Sequence, residues 1–237
     1  MTTLLRELSE RKDEFFYHLN LAEALELRIF DGESISVGDV SLNVRHVMTM
    51  KSGLIVHLYN VVEAVMSRTI DEVGRAVKTA PPSDWAHQTL KEWLRLNASI
   101  GLDGNEDSRL AVVHKAALQL LQKTPIERLK FKKPSGTWSD SVIYTFATRL
   151  GVQFRLTGDI ARKFQKAPKY GDETPMTFLA ERRNAIAHGR KTFEDGAADL
   201  SLGDIKELGI ITISYMELAI EAFQKFVNER KYMAVQV

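Results

Sequence analysis

The sequence contains no cysteine, and its positive and negative charges nearly cancel. Without cysteine the protein has neither disulfides nor thiolate metal ligands, which is compatible with a reducing compartment. The formal net charge is +1, so the surface is not coated with positive charge for non-specific binding of nucleic acid. Any nucleic-acid site must therefore be a local patch.

Long hydrophobic runs are also missing. No stretch is long and apolar enough to cross a bilayer, and the N-terminus lacks the apolar segment of a signal peptide, so we expect a cytoplasmic protein with no membrane partner. The glycines do not form the phosphate-binding loop of a P-loop or dinucleotide fold. Most of the histidines are scattered along the chain, at His18, His46, His57, His87 and His114. Their spacing does not fit a metal site, and we expect neither a metal nor another cofactor.

Helical periodicity is what the sequence does contain. Apolar residues recur at three- and four-residue steps through most of its 237 residues, a length that suits one domain with one substantial core. The predicted helices cover residues 4–27, 44–77, 84–100, 110–122, 139–150, part of 151–162, 176–188 and 202–231. Ser41 or Asn43 is the expected N-cap of the second helix, and Ser201 that of the last.

The breaks between these helices complete the predicted fold. Residues 34–40 alternate between turn signals, which allows a short strand or an extended loop, and we interpret them as a connection. Gly101 and residues 103–107 break the next helical region. The expected fold is all-α, an antiparallel helical bundle in one domain over residues 1–237. Because residues 83–170 exceed what a four-helix core needs, we interpret them as a helical insertion.

The most informative stretch is Arg182-Arg183-Asn184-Ala185-Ile186-Ala187-His188-Gly189. Thr174 suits an N-cap, Pro175 the first helical position and Gly189 the position just after a helix end, which predicts one short helix over 176–188. The polar residues therefore lie at its C-terminal end. Asn184 and His188 share a face, and Arg183 lies on the adjoining flank.

These three side chains suit phosphoryl chemistry. His188 can accept and donate a proton near neutral pH, and Arg183 offers a planar set of donors that matches phosphate oxygens. Together they could stabilise the extra charge of a phosphorane-like transition state without a metal. Asn184 could orient the histidine or a substrate hydroxyl.

An arginine, a polar residue, a histidine and a glycine on the penultimate helix of an all-helical domain resemble the R-x4-6-H motif of the HEPN superfamily. Weaker similarities follow in the expected order along the chain. They are the helix Val44 to Val77 with Leu58-Tyr59-Asn60-Val61-Val62-Glu63-Ala64, the segment Ser135-Gly136-Thr137-Trp138-Ser139-Asp140, and Lys191-Thr192-Phe193-Glu194-Asp195-Gly196.

The resemblance implies a metal-independent endoribonuclease, of a kind often found as a toxin or anti-phage effector. Arg183, Asn184 and His188 would be catalytic, and two copies would form a homodimer with one composite RNA cleft. RNA would be cut by its own 2′-hydroxyl, leaving a cyclic phosphate. The neighbouring cations Arg182, Arg190 and Lys191 would contact RNA, and an antitoxin or defence-system partner is possible.

Glu63, with Asn60 one turn before it, is a polar pair on an otherwise apolar helix. A buried Glu63 would need a partner, and Arg183 is the natural one. The alternative is an edge position that faces solvent, since acidic residues are rarely buried. We assign Glu63 and Asn60 a supporting role.

The loop Lys130-Phe131-Lys132-Lys133-Pro134-Ser135-Gly136 places an aromatic residue among cations. Such a loop could hold an RNA phosphate and a base. We interpret it as a solvated loop, because charge runs are usually surface.

A different class of function is the alternative for the whole chain. The near-neutral charge also fits a non-catalytic HEPN domain that binds a nucleotide or a protein and acts as a scaffold.

Overall fold

A computed structural model describes residues 2–100, 105–127, 129–134 and 136–234. In these residues the chain is mostly α-helical, and the predicted all-α class is confirmed. The helices are α1 (Thr2–Phe30), α2 (Val44–Val77), α3 (His87–Ile100), α4 (Glu106–Gln122), α5 (Asp140–Leu150), α6 (Gly158–Lys163), α7 (Pro175–Ala187) and α8 (Leu202–Asn228). Two short strands, β1 (Ile35–Val37) and β2 (Val40–Leu42), join α1 to α2.

The long helices α1, α2 and α8 pack against one another and form the centre of the bundle. Glu7 near the start of α1 pairs with Arg68 near the end of α2, and Glu26 pairs with Lys51 at the opposite ends, 2.9 Å apart. These pairs show that α1 and α2 run antiparallel. Each helix presents an apolar face inward, as its periodicity predicts.

Helix α7 lies against α2, and contacts α5 and α8 as well. Its first half is inserted into the core, with Met176 and Leu179 fully buried. The same continuous core includes residues of the segment 83–170, among them Trp138 and Phe146. The basic C-terminal half of α7 therefore lies on a rigid support formed mainly by α2.

The connection before α2 differs from the prediction. Residues 34–40 were predicted to be a connection, whereas β1 and β2 form an antiparallel hairpin in which Val37 pairs with Val40. Gly38, with φ of +58°, and Asp39 make its two-residue turn. A glycine followed by a turn-forming aspartate between two alternating segments is a hairpin signal, because such turns need positive φ values.

The start of α3 was also predicted wrongly. Trp85 is not helical but extended, and it bridges to Met233 near the end of the described chain. The backbone N–H of Ala86 donates to the carbonyl of Tyr232 at 2.8 Å, so this backbone is engaged in a contact that is distant in sequence. The helix begins at His87.

The break before α4 is shorter than predicted. Residues 101–104 lie outside the described residues, but Asn105 is the N-cap of α4 and accepts a hydrogen bond from the backbone of Ser108. Helix α4 therefore starts at Glu106, four residues before the predicted position at Leu110.

A buried ion pair joins α3 to α5. Glu92 of α3 is 1% exposed, and its two carboxylate oxygens accept hydrogen bonds from Nε and Nη2 of Arg149. Arg95, one turn further along α3, donates to the same carboxylate at 3.1 Å. A carboxylate buried this deeply requires such partners.

Candidate functional site

The local sequence fixes both ends of α7. Thr174 is the N-cap, and its hydroxyl accepts a hydrogen bond from the backbone N–H of Thr177 at 3.3 Å. Pro175 occupies the first helical turn, where no backbone donor is needed. His188 is the C-cap, and Gly189 follows with φ of +69°, a conformation that favours glycine. The predicted motif helix is confirmed.

The start of α7 is tied to α5. The hydroxyls of Thr174 and Thr177 both donate to one carboxylate oxygen of Asp140, at 2.6 and 3.2 Å. Because Asp140 is the first residue of α5, this contact fixes the two helix starts relative to each other. The position of the motif residues three turns later depends on it.

Arg183 lies between α7 and α2. Its guanidinium carbon is 4.7 Å from the centre of the Tyr59 ring, and its Nη2 is 3.2 Å from Oε2 of Glu63. Its Nη1 also donates to Oδ1 of Asn184 at 3.3 Å. The side chain of Arg183 is 24% exposed, so its guanidinium is held by these contacts without being fully buried.

Glu63 has two cationic partners rather than one. Its other oxygen, Oε1, is 3.2 Å from Nζ of Lys133, which comes from the loop before α5. The Lys133 ammonium also lies 5.2 Å from the centre of the Trp138 ring. Glu63 is therefore a half-buried ion-pair residue, and the expected pairing with Arg183 is present.

Tyr59 connects these contacts. Its hydroxyl accepts a hydrogen bond from the backbone N–H of Trp138 at 2.9 Å. Burial raises the pKa of Tyr59 above its ordinary value, so the phenol stays protonated and acts as a neutral surface beneath Arg183.

His188 lies at the exposed C-terminal end of α7. Its backbone N–H donates to the carbonyl of Asn184 at 3.0 Å. In the part of the chain that the structure describes, its imidazole forms no hydrogen bond with Arg183 or Asn184. The structure thus joins Arg183 to both Asn184 and Glu63, and places the exposed His188 one helical turn beyond Asn184, outside this hydrogen-bonded group.

Among the described residues, no hydrogen bond joins Asn60 to Glu63. Asn60 is exposed and borders a groove of about 450 Å³ between α1 and α2, together with Glu14, His18 and His57. The two imidazole rings are 5.5 Å apart, and burial lowers the pKa of His57. A supporting role for Asn60 in the catalytic group stays a prediction.

Arg182 points away from Arg183. It makes a bidentate ion pair with Asp199, at 2.6 and 2.7 Å, and donates to the carbonyl of Gly196 at 3.0 Å. Its guanidinium also lies 4.8 Å from the ring centre of Phe178. Through these contacts Arg182 holds the segment between α7 and α8 against the motif helix. Contact between Arg182 and RNA stays a prediction.

The other two residues predicted to contact RNA, Arg190 and Lys191, have fewer partners within the described chain. Arg190 is exposed and makes no ion pair among the described residues. Lys191 is half-buried, and its ammonium group is 3.5 Å from the carbonyl of Asp195. The turn that follows is closed by Thr192, whose hydroxyl donates to the Asp195 carboxylate at 2.7 Å.

The basic loop is only partly a solvated loop, which corrects the prediction. Phe131 is 1% exposed and belongs to the core, and Lys133 is paired with Glu63. Lys130 and Lys132 are exposed. Ser135 lies outside the described residues. The buried aromatic anchors the loop, and one of its three lysines, Lys133, reaches Glu63 of α2.

Sequence reasoning missed Tyr59, Lys133 and Trp138 as neighbours of Arg183. A signal existed for Tyr59, because it precedes Glu63 by four residues and so shares its helix face. None existed for Lys133, which is 70 residues from Glu63 in sequence.

The described residues contain neither a cluster of metal ligands nor a membrane-spanning helix. Within the described ranges, no group of histidine and acidic side chains is placed to hold a metal ion. None of the helices in this part of the chain combines the length and apolarity needed to cross a membrane.

An all-helical bundle whose penultimate described helix ends in this arginine, asparagine and histidine has the architecture of HEPN domains. A family model described as HEPN_MAE_28990-like HEPN matches residues 1–232. The chain therefore belongs to this HEPN family. No curated protein and no solved structure matched the chain in the same comparisons.

Proposed function

We propose that the protein is a metal-independent endoribonuclease. The observation that carries the proposal is the position of Arg183, held between Tyr59 and Glu63 at the end of α7 with the exposed His188 on the following turn. A fixed guanidinium can bind the oxygens of a phosphodiester, and an accessible imidazole can accept or donate a proton. Cleavage of the phosphodiester requires both.

In the proposed reaction the ribose 2′-hydroxyl attacks the adjacent phosphorus. His188 takes the 2′ proton or donates a proton to the departing 5′ oxygen, and Arg183 binds the phosphate oxygens as their charge increases. The new bond joins O2′ to phosphorus and the bond to O5′ breaks. The products are a 2′,3′-cyclic phosphate and a 5′-hydroxyl, and no metal is required.

The remaining residues have secondary parts in this proposal. Asn184, which accepts a hydrogen bond from Arg183, orients that arginine or a substrate hydroxyl. Arg190 and Lys191 offer contacts to flanking phosphates just after the helix end, and Arg182 contributes by holding the local backbone. One chain supplies a single histidine here, so we propose a homodimer in which two copies complete one cleft.

We further propose a cellular role as a toxin or anti-phage effector. An enzyme that cuts RNA inside its own host must be restrained, so we also propose a partner such as an antitoxin or another defence protein. The expected compartment is the cytoplasm, where the RNA is.

The direct test is incubation of the purified protein with total RNA in the presence of EDTA. We expect cleavage by the wild type, and cleavage lost in His188→Ala and reduced at least a hundredfold, about 3 kcal/mol, in Arg183→Ala. His114→Ala, an exposed histidine on α4, is the matched control and should cleave normally. The cut ends should carry cyclic phosphates. Cleavage that survives His188→Ala, or none at any protein concentration, would reject the nuclease.

A non-catalytic scaffold is the second candidate, and one observation favours it. In the single chain, the Arg183 guanidinium is already engaged by Glu63 and Asn184, which is also how a structural arginine behaves. Growth of cells that express the protein separates the two functions. The nuclease predicts toxicity that Arg183→Ala removes, whereas equal growth with both proteins would support the scaffold.

A further inference from the structure

Glu63 is bridged by two cations that come from different parts of the chain. Its Oε2 faces Arg183 of α7 and its Oε1 faces Lys133 of the preceding loop, each at 3.2 Å. One carboxylate thus sets the separation between a guanidinium and an ammonium group. The two cations carry one more charge than Glu63 neutralises.

The position of Lys133 is determined by the core. Two residues before it, Phe131 is buried, which fixes the loop against the bundle. The lysine is 39% exposed, and its ammonium group is near the ring of Trp138. The backbone of Trp138 donates to the hydroxyl of Tyr59, the residue under Arg183. Both cations therefore rest on aromatic residues that are joined by a hydrogen bond.

We propose that Lys133 and Arg183 form a clamp for one RNA phosphate, with Glu63 as its counter-ion when no RNA is bound. A phosphodiester presents two non-bridging oxygens that share one negative charge, much as the two oxygens of a carboxylate do. Two cations that one carboxylate can bridge are therefore spaced so that one phosphate can bridge them. This proposal rests on the proposed function and adds a binding residue from outside the motif helix.

Glu63 has two opposing effects on the binding of RNA by this clamp. It keeps the two cations in place before RNA arrives, and it competes with the incoming phosphate for them. Weak anions do not displace it, whereas RNA gains further contacts along its backbone and does. Removing the charge of Glu63 should consequently strengthen binding, and removing the charge of Lys133 should weaken it.

Binding of a short single-stranded RNA with 2′-O-methyl groups throughout tests the clamp. This probe cannot be cut by its own 2′-hydroxyl, so affinity is measured without turnover, by fluorescence anisotropy across a range of salt concentrations. Lys133→Met should weaken binding about tenfold and reduce the slope of log K against log salt by about 0.7, the value for one lost contact to a single strand. Lys132→Met, which removes the same charge from an exposed neighbour, should change affinity less than about twofold.

Two further variants separate the clamp from a merely structural lysine. Lys133→Arg keeps the charge and should bind the probe as the wild type does, while Glu63→Gln should bind it several-fold more tightly. Thermal unfolding of each variant shows that the fold is intact. If Lys133→Met and Lys132→Met weaken binding equally, or if Glu63→Gln weakens it, the clamp is wrong.

The clamp can fail while the proposed function holds. A wild type that cuts unmodified RNA in EDTA, while Lys133→Met binds the probe as tightly as wild type, overturns the clamp alone. A wild type that neither cuts RNA nor binds the probe overturns both proposals.

Discussion

Two neighbouring arginines at the end of α7 have opposite surroundings. Arg182 is 11% exposed and its donors are taken up by Asp199 and Gly196, while Arg183 is 24% exposed and faces Glu63. Successive helical residues point about 100° apart, so adjacent side chains meet different elements. We therefore expect substitutions at Arg182 to affect stability and those at Arg183 to affect chemistry.

The Arg182–Asp199 pair predicts a pH-dependent stability. Hydrogen bonds from Arg182 hold the pKa of Asp199 below its ordinary value of 3.8. A lowered carboxyl pKa adds stability above the ordinary value, and this stability is lost as the pH falls through the lowered one. At neutral pH, Asp199→Asn should lower the free energy of unfolding by about 1 kcal/mol, a modest amount because solvent screens the half-exposed carboxylate.

Urea unfolding of the wild type and Asp199→Asn over a pH series measures this effect. The difference between the two should be constant from neutral pH down to about 5 and disappear well below pH 4. A difference that persists unchanged in acid would mean that the charge of Asp199 is not its source.

Gly196 predicts a steric effect on the site. A Cβ added there would lie 2.5 Å from the hydroxyl of Ser52 and 2.8 Å from side-chain atoms of Ile186, which is buried in α7 between Asn184 and His188. Gly196→Ala should therefore cost about 2 kcal/mol of stability and displace the end of α7.

Thermal unfolding and cleavage of RNA together measure this second effect. Activity should fall more than tenfold at a temperature at which Gly196→Ala is still folded, because the displaced end of α7 holds the proposed catalytic residues. Gly203→Ala is the control, since its Cβ would meet only the Ser201 hydroxyl at 3.5 Å. Full activity in folded Gly196→Ala would show that Ile186 yields without moving its helix.

At the scale of helices, the predictable features were those with local causes. The bounds of α2 and the N-caps Asn43, Thr174 and Ser201 follow from neighbouring residues, because a cap bonds to backbone two or three positions away. The start of α3 could not be predicted, since Trp85 is held extended by pairing with Met233.

The candidate site also combines features that the sequence predicts with one that it does not. The motif helix was predictable from its caps. The pairing of Glu63 with Arg183 was predicted for a buried Glu63, and it is present although the Glu63 side chain is 38% exposed. The contact of Lys133 with Glu63 was not predictable, because the neighbouring residues do not distinguish Lys133 from the other lysines of the loop. The loop is anchored by Phe131, whose burial depends on the assembled core.

The ion pair between α3 and α5 predicts an asymmetry between single and double variants. Arg149→Met should lower the free energy of unfolding by about 3 kcal/mol, because it leaves the buried Glu92 carboxylate with Arg95 as its remaining partner. The double variant Glu92→Leu with Arg149→Met should cost less than the single one, since no buried charge is left. Arg155→Met, on an exposed residue, is the control.

Denaturant unfolding of the four proteins at neutral pH measures the asymmetry. If the double variant is less stable than Arg149→Met, packing rather than an uncompensated charge explains the cost, and the prediction is wrong.

At the scale of the whole molecule, the proposed composite cleft predicts that an inactive chain inhibits an active one. One chain supplies Arg183 and His188 once, so in a dimer with a shared cleft the active species contains two intact copies. Light scattering should give twice the 26.8 kDa mass of one chain. Excess His188→Ala protein, mixed with a fixed amount of wild type and allowed to exchange subunits, should convert nearly all wild-type chains into mixed dimers. Cleavage should then fall in proportion to the wild-type dimers that remain.

The control for this mixing experiment is an equal excess of His114→Ala protein, which should dimerise and keep its own activity. Independent sites predict a different result, because each wild-type chain would keep cutting RNA at its own rate in a mixed dimer. Undiminished cleavage in excess His188→Ala, with exchange verified by a tag on one chain, would therefore show that a single copy of Arg183 and His188 is sufficient. A particle of one-chain mass that cleaves RNA would lead to the same conclusion.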